Sequence, residues 1–164
     1  MIQFKQGDLL QSCADIIAHQ VNCQGVMGSG VAKQIRQQFP QAYVWYRRKV
    51  MKDFDHRKAL LGTMQYVLAS YNPPCYVANL FAQFDYGSMK GRTEPYTDYQ
   101  ALRSSLMHLN QFANELRAVL GRKPSIAMPY LIGCARGGGD WELVKSIIQD
   151  TLSEQEVTFY QLIS

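Results

Sequence analysis

The stretch Asp15-Ile16-Ile17-Ala18-His19-Gln20-Val21-Asn22-Cys23-Gln24-Gly25-Val26-Met27-Gly28-Ser29-Gly30 carries most of the information about the fold. Its first seven residues begin as a continuous apolar run, the composition of a strand covered on both faces. Three glycines follow within six residues, and Val31 to Phe39 then reads as a helix ended by Pro40. Ser125 to Tyr130 repeats the order: an apolar strand, the glycine cluster Gly133, Gly137, Gly138 and Gly139, then a helix capped by Asp140 with Trp141, Val144, Ile147, Ile148 and Leu152 on its apolar face. Seven of the 12 glycines lie in these two segments. Strand, glycine loop and helix in succession describe an α/β sheet with helices on both faces, and ligands of such sheets sit beyond the carboxyl ends of the strands.

Working outward, Ile2 to Gln6 alternates as a strand and is followed by the turn-like Gly7-Asp8-Leu9-Leu10. Gln41 to Lys52 reads as a second helix. Met64 to Ala69 and Cys75 to Phe81 read as strands joined by a turn at Tyr71-Asn72-Pro73-Pro74. Tyr86 to Pro95 is polar and reads as a loop. Thr97 and Gln100 have the spacing of a capping box. From Tyr99 to Val119 apolar residues recur at three- and four-residue steps, and Gly121 with Pro124 ends that helix. Val157 to Leu162 reads as a closing strand.

The chain has 164 residues, 47% hydrophobic and 18% charged, which fits one globular domain over 1–164 and excludes disorder, a collagen-like repeat and a disulfide scaffold. No apolar run approaches the ~20 residues that span a bilayer, and the first ten residues lack a signal-peptide pattern. The expectation is a cytoplasmic monomer without a membrane partner. Cys13, Cys23, Cys75 and Cys134 form no paired motif, so buried reduced thiols are expected and no metal site is. Lys33 to Lys58 holds eight basic residues against two acids, a solvated helix face or a secondary nucleic-acid surface.

Glycine loops ahead of helices suit phosphate, because they bring backbone N–H groups and the positive helix end close to an anion. Two such loops on one sheet edge suit a diphosphate. Gly25 to Gly30 has the glycine spacing of a P-loop, but Val31-Ala32 stands where Lys-Ser/Thr is required. Gly28-Ser29-Gly30 also lacks the third glycine of a dinucleotide fingerprint.

The succession GDLL, IIAHQVNCQGVMGSGVAKQI, MPYLIGCARGGGDW and VTFYQL resembles the macrodomain family, over essentially the whole chain. The resemblance implies a three-layer α/β/α sandwich around a six-stranded mixed sheet, binding of ADP-ribose, and no cofactor. It is nearest the branch of the ADP-ribose-1″-phosphate phosphatases, the terminal ADP-ribose–glutamate hydrolase and the DNA antitoxins. It assigns adenine recognition to Asp8 and the Leu9 backbone, and the distal ribose to Asn22. Gly25, Val26, Met27, Gly28, Ser29, Gly30 and Val31 would form the first phosphate and ribose loop. Ile132, Gly133, Cys134, Ala135, Arg136, Gly137 and Gly138 would form the second.

For catalysis the resemblance points to His19, Asn22 and Asp140, with water as the nucleophile and no metal. The lysine that serves two of these branches is replaced by Gln83. Two functions follow as expectations: hydrolysis of an ADP-ribose derivative, or recognition of ADP-ribose without chemistry.

Overall fold

The apolar run at residues 16–21 becomes an interior strand of a six-stranded sheet. The computed structural model describes residues 1–163. Its elements are β1 (Ile2–Gln6), a 3-10 turn (Leu9–Gln11), β2 (Ile16–Val21), α1 (Gly30–Gln38), α2 (Pro40–Lys52) and a 3-10 stretch (Phe54–Leu60), then β3 (Met64–Tyr71), β4 (Pro74–Phe81), α3 (Tyr99–Leu120), β5 (Ser125–Pro129), α4 (Trp141–Thr151) and β6 (Glu156–Gln161). The strand order is β1-β6-β5-β2-β4-β3. Every neighbouring pair is parallel except β3 with β4, which a tight turn joins as an antiparallel hairpin. That exception makes the sheet mixed, as the resemblance implies.

Alternation along the strands sends side chains to two helical layers. Ile16 and Ala18 of β2, with Ala78, Leu80, Ile126 and Met128, meet Leu102, Leu106 and Leu109 of α3 and Ile147 and Ile148 of α4. Ile17 and Val21 face the other way, toward Ile35 of α1 and Ala42, Tyr46 and Val50 of α2. His19 has the parity of Ile17 and Val21, so it belongs to the α1/α2 face. Truncating a fully buried residue such as Leu106 to alanine costs about 2–5 kcal/mol by lost burial and an unfilled cavity.

The apolar periodicity of 99–120 gives the long helix, and Gly121 ends it in the left-handed region at φ 71°. The capping box does not form. Asp98 is the N-cap and its carboxylate accepts from Ala101 N–H, whereas Thr97 is buried and bonded elsewhere. A carboxylate one residue later takes the cap and frees the threonine for another task. The cysteine expectation is corrected as well: Cys23 and Cys75 are buried, but Cys13 is exposed and Cys134 half-buried.

The basic stretch forms the outer surface of α1, α2 and the 3-10 stretch. Three of its arginines lie on aromatic rings: Arg36 on Tyr43 at 3.9 Å, Arg48 on Trp45 at 5.2 Å and Arg57 on Phe54 at 4.0 Å. Among the described residues no helix is long and apolar enough to cross a membrane.

Candidate functional site

Because β2 and β5 are parallel neighbours, both glycine loops leave the same edge of the sheet. A cavity of about 490 Å³ opens between them. Val26, Gly28, Ser29, Gly30 and Val31 line one side; Ile132, Gly133, Ala135, Arg136 and Gly137 line the other; His19, Gln20 and Asn22 lie along β2 and its end. Gln83, Tyr86 and Gly87, from the segment between β4 and α3, complete the wall.

The first loop is folded by side chains. Asn22 Oδ1 accepts from Gln24 N–H at 2.9 Å and Val26 N–H at 3.4 Å, and its Nδ2 donates to the Val26 carbonyl at 2.8 Å. The buried Tyr46 hydroxyl lies 2.7 Å from the Asn22 carbonyl and 2.8 Å from its Oδ1, and it accepts from Gly25 N–H at 3.1 Å. Arg47 Nη1 donates to the Gly25 carbonyl. The resemblance assigns the distal ribose to Asn22; in the structure its oxygen is consumed by the turn, and one Nδ2 proton is what it has left to offer.

Beyond that turn the loop runs into α1 without a side-chain cap at Ser29. The N–H groups of Gly30, Val31 and Ala32 are the orphan donors of a helix start, and all three residues line the cavity.

The second loop is folded by close backbone packing. Gly137 has its carbonyl bonded by Tyr96 N–H and Thr97 N–H, and Thr97 Oγ1 donates to the Gly133 carbonyl at 2.6 Å. Gly139 N–H donates to the same carbonyl at 2.9 Å. A Cβ on Gly137 would lie 2.6 Å from the Gly133 carbonyl oxygen, which leaves no room for any side chain there. Arg136 is exposed and reaches across to the first loop, where its Nε would lie 3.4 Å from a Cβ on Gly30. It places a cation beside the N–H groups of the helix start.

His19 lines the cavity yet is only 1% exposed. Its Nε2 lies 2.6 Å from Asn79 Oδ1, while Nδ1 is buried without a partner. Burial pushes its pKa down to about 4, against a smaller upward pull from Asn79. The imidazole is therefore neutral at pH 7, a hydrogen-bond acceptor that is a weaker base than an ordinary histidine. Burial also raises the thiols: Cys134 to about 11, with Asp140 adding to it, and Cys23 to about 12 despite Arg57. Neither is a thiolate at neutral pH.

Several expected site residues lie elsewhere. Asp140 is outside the cavity's lining; its carboxylate caps α4 through Leu143 N–H at 3.2 Å, the role its sequence position also signals. Asp8 and Leu9 do not line the cavity either. Asp8 Oδ1 accepts from Leu10 N–H at the end of β1, on the same sheet edge, while Leu9 is buried. Met27 is 1% exposed and packs with Val21, Tyr46 and Phe81, so it anchors the first loop from below. Gly25 faces Met51 and Arg47, Gly138 faces Met89, and Cys134 packs at the edge of the α3/α4 core. Trp141 meets Tyr130 and Phe159 edge-on, a core contact rather than a platform over the cavity. Among the described residues no group of three His, Cys, Asp or Glu side chains could hold a metal ion.

Sequence reasoning missed Gln20 and Thr97. Gln20 Nε2 donates to Gln83 Oε1 and to Thr97 Oγ1, both at 2.8 Å, and so ties β2 to the segment ahead of α3. The polar residue inside an apolar strand was the available signal.

A sequence profile described as Macro domain matches residues 18–148. An ADP-ribose 1''-phosphate phosphatase of Scheffersomyces stipitis is 34% identical over 128 residues, covering 68% of this chain and 73% of that protein. A DNA ADP-ribosyl glycohydrolase of Thermus aquaticus is 30% identical over 157 residues, covering 95% of this chain and 39% of that longer protein. The solved macrodomain of Thermus aquaticus DarG superposes with a TM-score of 0.76 at 28% identity, covering 98% of each chain.

Proposed function

Since this chain belongs to the macro domain family, we propose that it binds ADP-ribose between its two glycine loops and hydrolyses an ADP-ribose derivative at the distal ribose. The observation that carries this reading is the pairing of an uncapped helix start with a second glycine loop across one cavity, under a single arginine. The free N–H groups of the helix start, the close backbone of the second loop and the Arg136 cation suit the two phosphates of a diphosphate. At the β1 end of the same sheet edge, Asp8 keeps one carboxylate oxygen free for the adenine amine.

Hydrolysis needs a water oriented against the 1″ position, which carries a phosphate in one candidate substrate and a macromolecule in the other. His19 lines the cavity and keeps an unpartnered acceptor at its buried Nδ1, and Asn22, three residues on and also in the lining, keeps one Nδ2 proton to donate. Gln83 supplies no amine: its Oε1 accepts from Gln20 and its Nε2 donates to the Asp85 carbonyl. Direct attack by water fits this side-chain set, and a lysine adduct does not. The favoured substrates are ADP-ribose-1″-phosphate and ADP-ribosylated DNA, the compounds in the names of the two relatives.

Calorimetric titration with ADP-ribose should give one site per chain, and turnover of at least one of those two substrates should follow with no added metal. Absence of binding heat overturns the site. Binding with no turnover of either substrate, or of O-acetyl-ADP-ribose, overturns the hydrolase reading in favour of a recognition module.

A further inference from the structure

A row of polar side chains crosses the sheet beneath the cavity. His19 of β2 is paired in register with Asn79 of β4, and Asn79 with Gln65 of β3. Being opposite one another, the three share the sheet face that carries α2. Their side chains are joined end to end: His19 Nε2 to Asn79 Oδ1 at 2.6 Å, Asn79 Nδ2 to Gln65 Oε1 at 3.1 Å, and Gln65 Nε2 to the Trp45 carbonyl of α2 at 3.0 Å.

The last member fixes the direction of all the others. A backbone carbonyl only accepts, so Gln65 must present its amide nitrogen to Trp45 and its oxygen to Asn79. Asn79 must then present its nitrogen to Gln65 and its oxygen to His19. An amide oxygen also only accepts, so the proton of the neutral imidazole must reside on Nε2. Nδ1 is left with its lone pair and, among the described residues, with no partner. Reversing any one amide would set oxygen against oxygen or N–H against N–H in a row whose central member, Asn79, is fully buried.

We infer that Asn79 and Gln65 are positioning residues that lock His19 in the Nε2–H tautomer, so that Nδ1 is held as an unprotonated, buried acceptor in the residue that lines the cavity between the two loops. Neither touches the ligand cavity, and both act through His19. The catalytic consequence rests on the hydrolase reading above; the tautomer itself does not.

The test therefore begins with the ligand-free protein. In a His56→Gln/His108→Gln background, ¹⁵N-labelled His19 should show a protonated Nε2 and an unprotonated Nδ1 at pH 7. Gln65 is half-buried, so Gln65→Leu keeps the sheet while freeing the Asn79 amide to turn; the two nitrogens should then give averaged or doubled signals. In turnover, Gln65→Leu should lower kcat about tenfold, with KM within about twofold. A protonated Nδ1 in the parent protein overturns the inference whether or not the protein turns anything over. So does a Gln65→Leu variant whose His19 signals and kcat both match the parent. A loss of kcat in Gln65→Leu with unchanged His19 signals also overturns it, because the effect would then be merely structural.

Discussion

The two glycine loops face one cavity and are built on opposite principles. The first is suspended from polar side chains, with Asn22, Tyr46 and Arg47 all bonded to it. The second is shaped by what its residues lack, since Gly137 and Gly139 sit where a Cβ would come within 3 Å of the Gly133 carbonyl. The first loop should therefore fail when atoms are removed around it, and the second when atoms are added. Similar roles in sequence thus conceal different vulnerabilities.

Adding one methyl group gives the largest expected effect. Gly137→Ala drives a Cβ into the Gly133 carbonyl and the Thr97 hydroxyl, and should cost about 3 kcal/mol, the upper range for overpacking. ADP-ribose binding should fall about 100-fold, the equivalent of about 2.7 kcal/mol, in a calorimetric titration. Near-parental stability and affinity would contradict the account of the second loop.

Neither residues 22–31 nor residues 131–139 contain a carboxylate or a histidine, so acid should act on the wall between them, through His19. Its folded pKa of about 4 lies below the unfolded 6.5, and the unfolded chain takes up the proton first. Stability is complete above pH 6.5, falls as pH drops toward 4, and loses nothing further from this group below that. The total is about 3 kcal/mol, from roughly 2.5 pH units at 1.36 kcal/mol each. Urea unfolding at pH 7, 5.5 and 4 should show this slope, and His19→Gln should flatten it.

Removing an atom from the first loop comes next. Tyr46→Phe deletes a buried hydroxyl and leaves Gly25 N–H unpartnered, at a cost of about 2 kcal/mol. Its counterpart in the second loop, Thr97→Val, loses two bonds but leaves neither partner bare, since the Gly133 carbonyl keeps Gly139 N–H and the Gln20 amide keeps Gln83 Oε1, and should cost about 1 kcal/mol. Chemical denaturation of the pair measures the asymmetry directly, and equal losses would erase it. The smallest effect is expected from Gly28→Ala in the first loop, where the nearest neighbour of a new Cβ is a Val26 methyl at 3.6 Å. Stability should stay within about 0.5 kcal/mol of the parent. A large loss there would mean that the first loop also depends on missing side chains.

The elements were legible because periodicity and punctuation agree. The apolar run at 16–21, the spacing from Tyr99 to Leu116 and the glycine at 121 each have a local physical cause. The pairing of both loops over one cavity was legible too, since each follows a strand of the same sheet. Contacts between distant segments were not. Thr97 looks like a helix cap until Asp98 is seen to do that work, and its bond to Gly133 spans 36 residues. Asn22 looks free to bind a ribose until Tyr46 is found against its oxygen. The row from His19 to Trp45 depends on the register of three strands, which no local pattern encodes. Asp140 shows the converse: its local signal, a helix cap, is the role it has.

The strand order also bears on how the protein is made. β6 lies between β1 and β5, so residues 2–6 wait for residues 156–161 before they gain a neighbour in the sheet. Until then β5, the strand from which the second loop emerges, has one open edge, and β1 has no partner at all. The ribosome therefore delivers the first loop with its supporting helices long before the second can be seated. The strand that carries the second loop thus has its place between neighbours completed only by the last strand in the sequence.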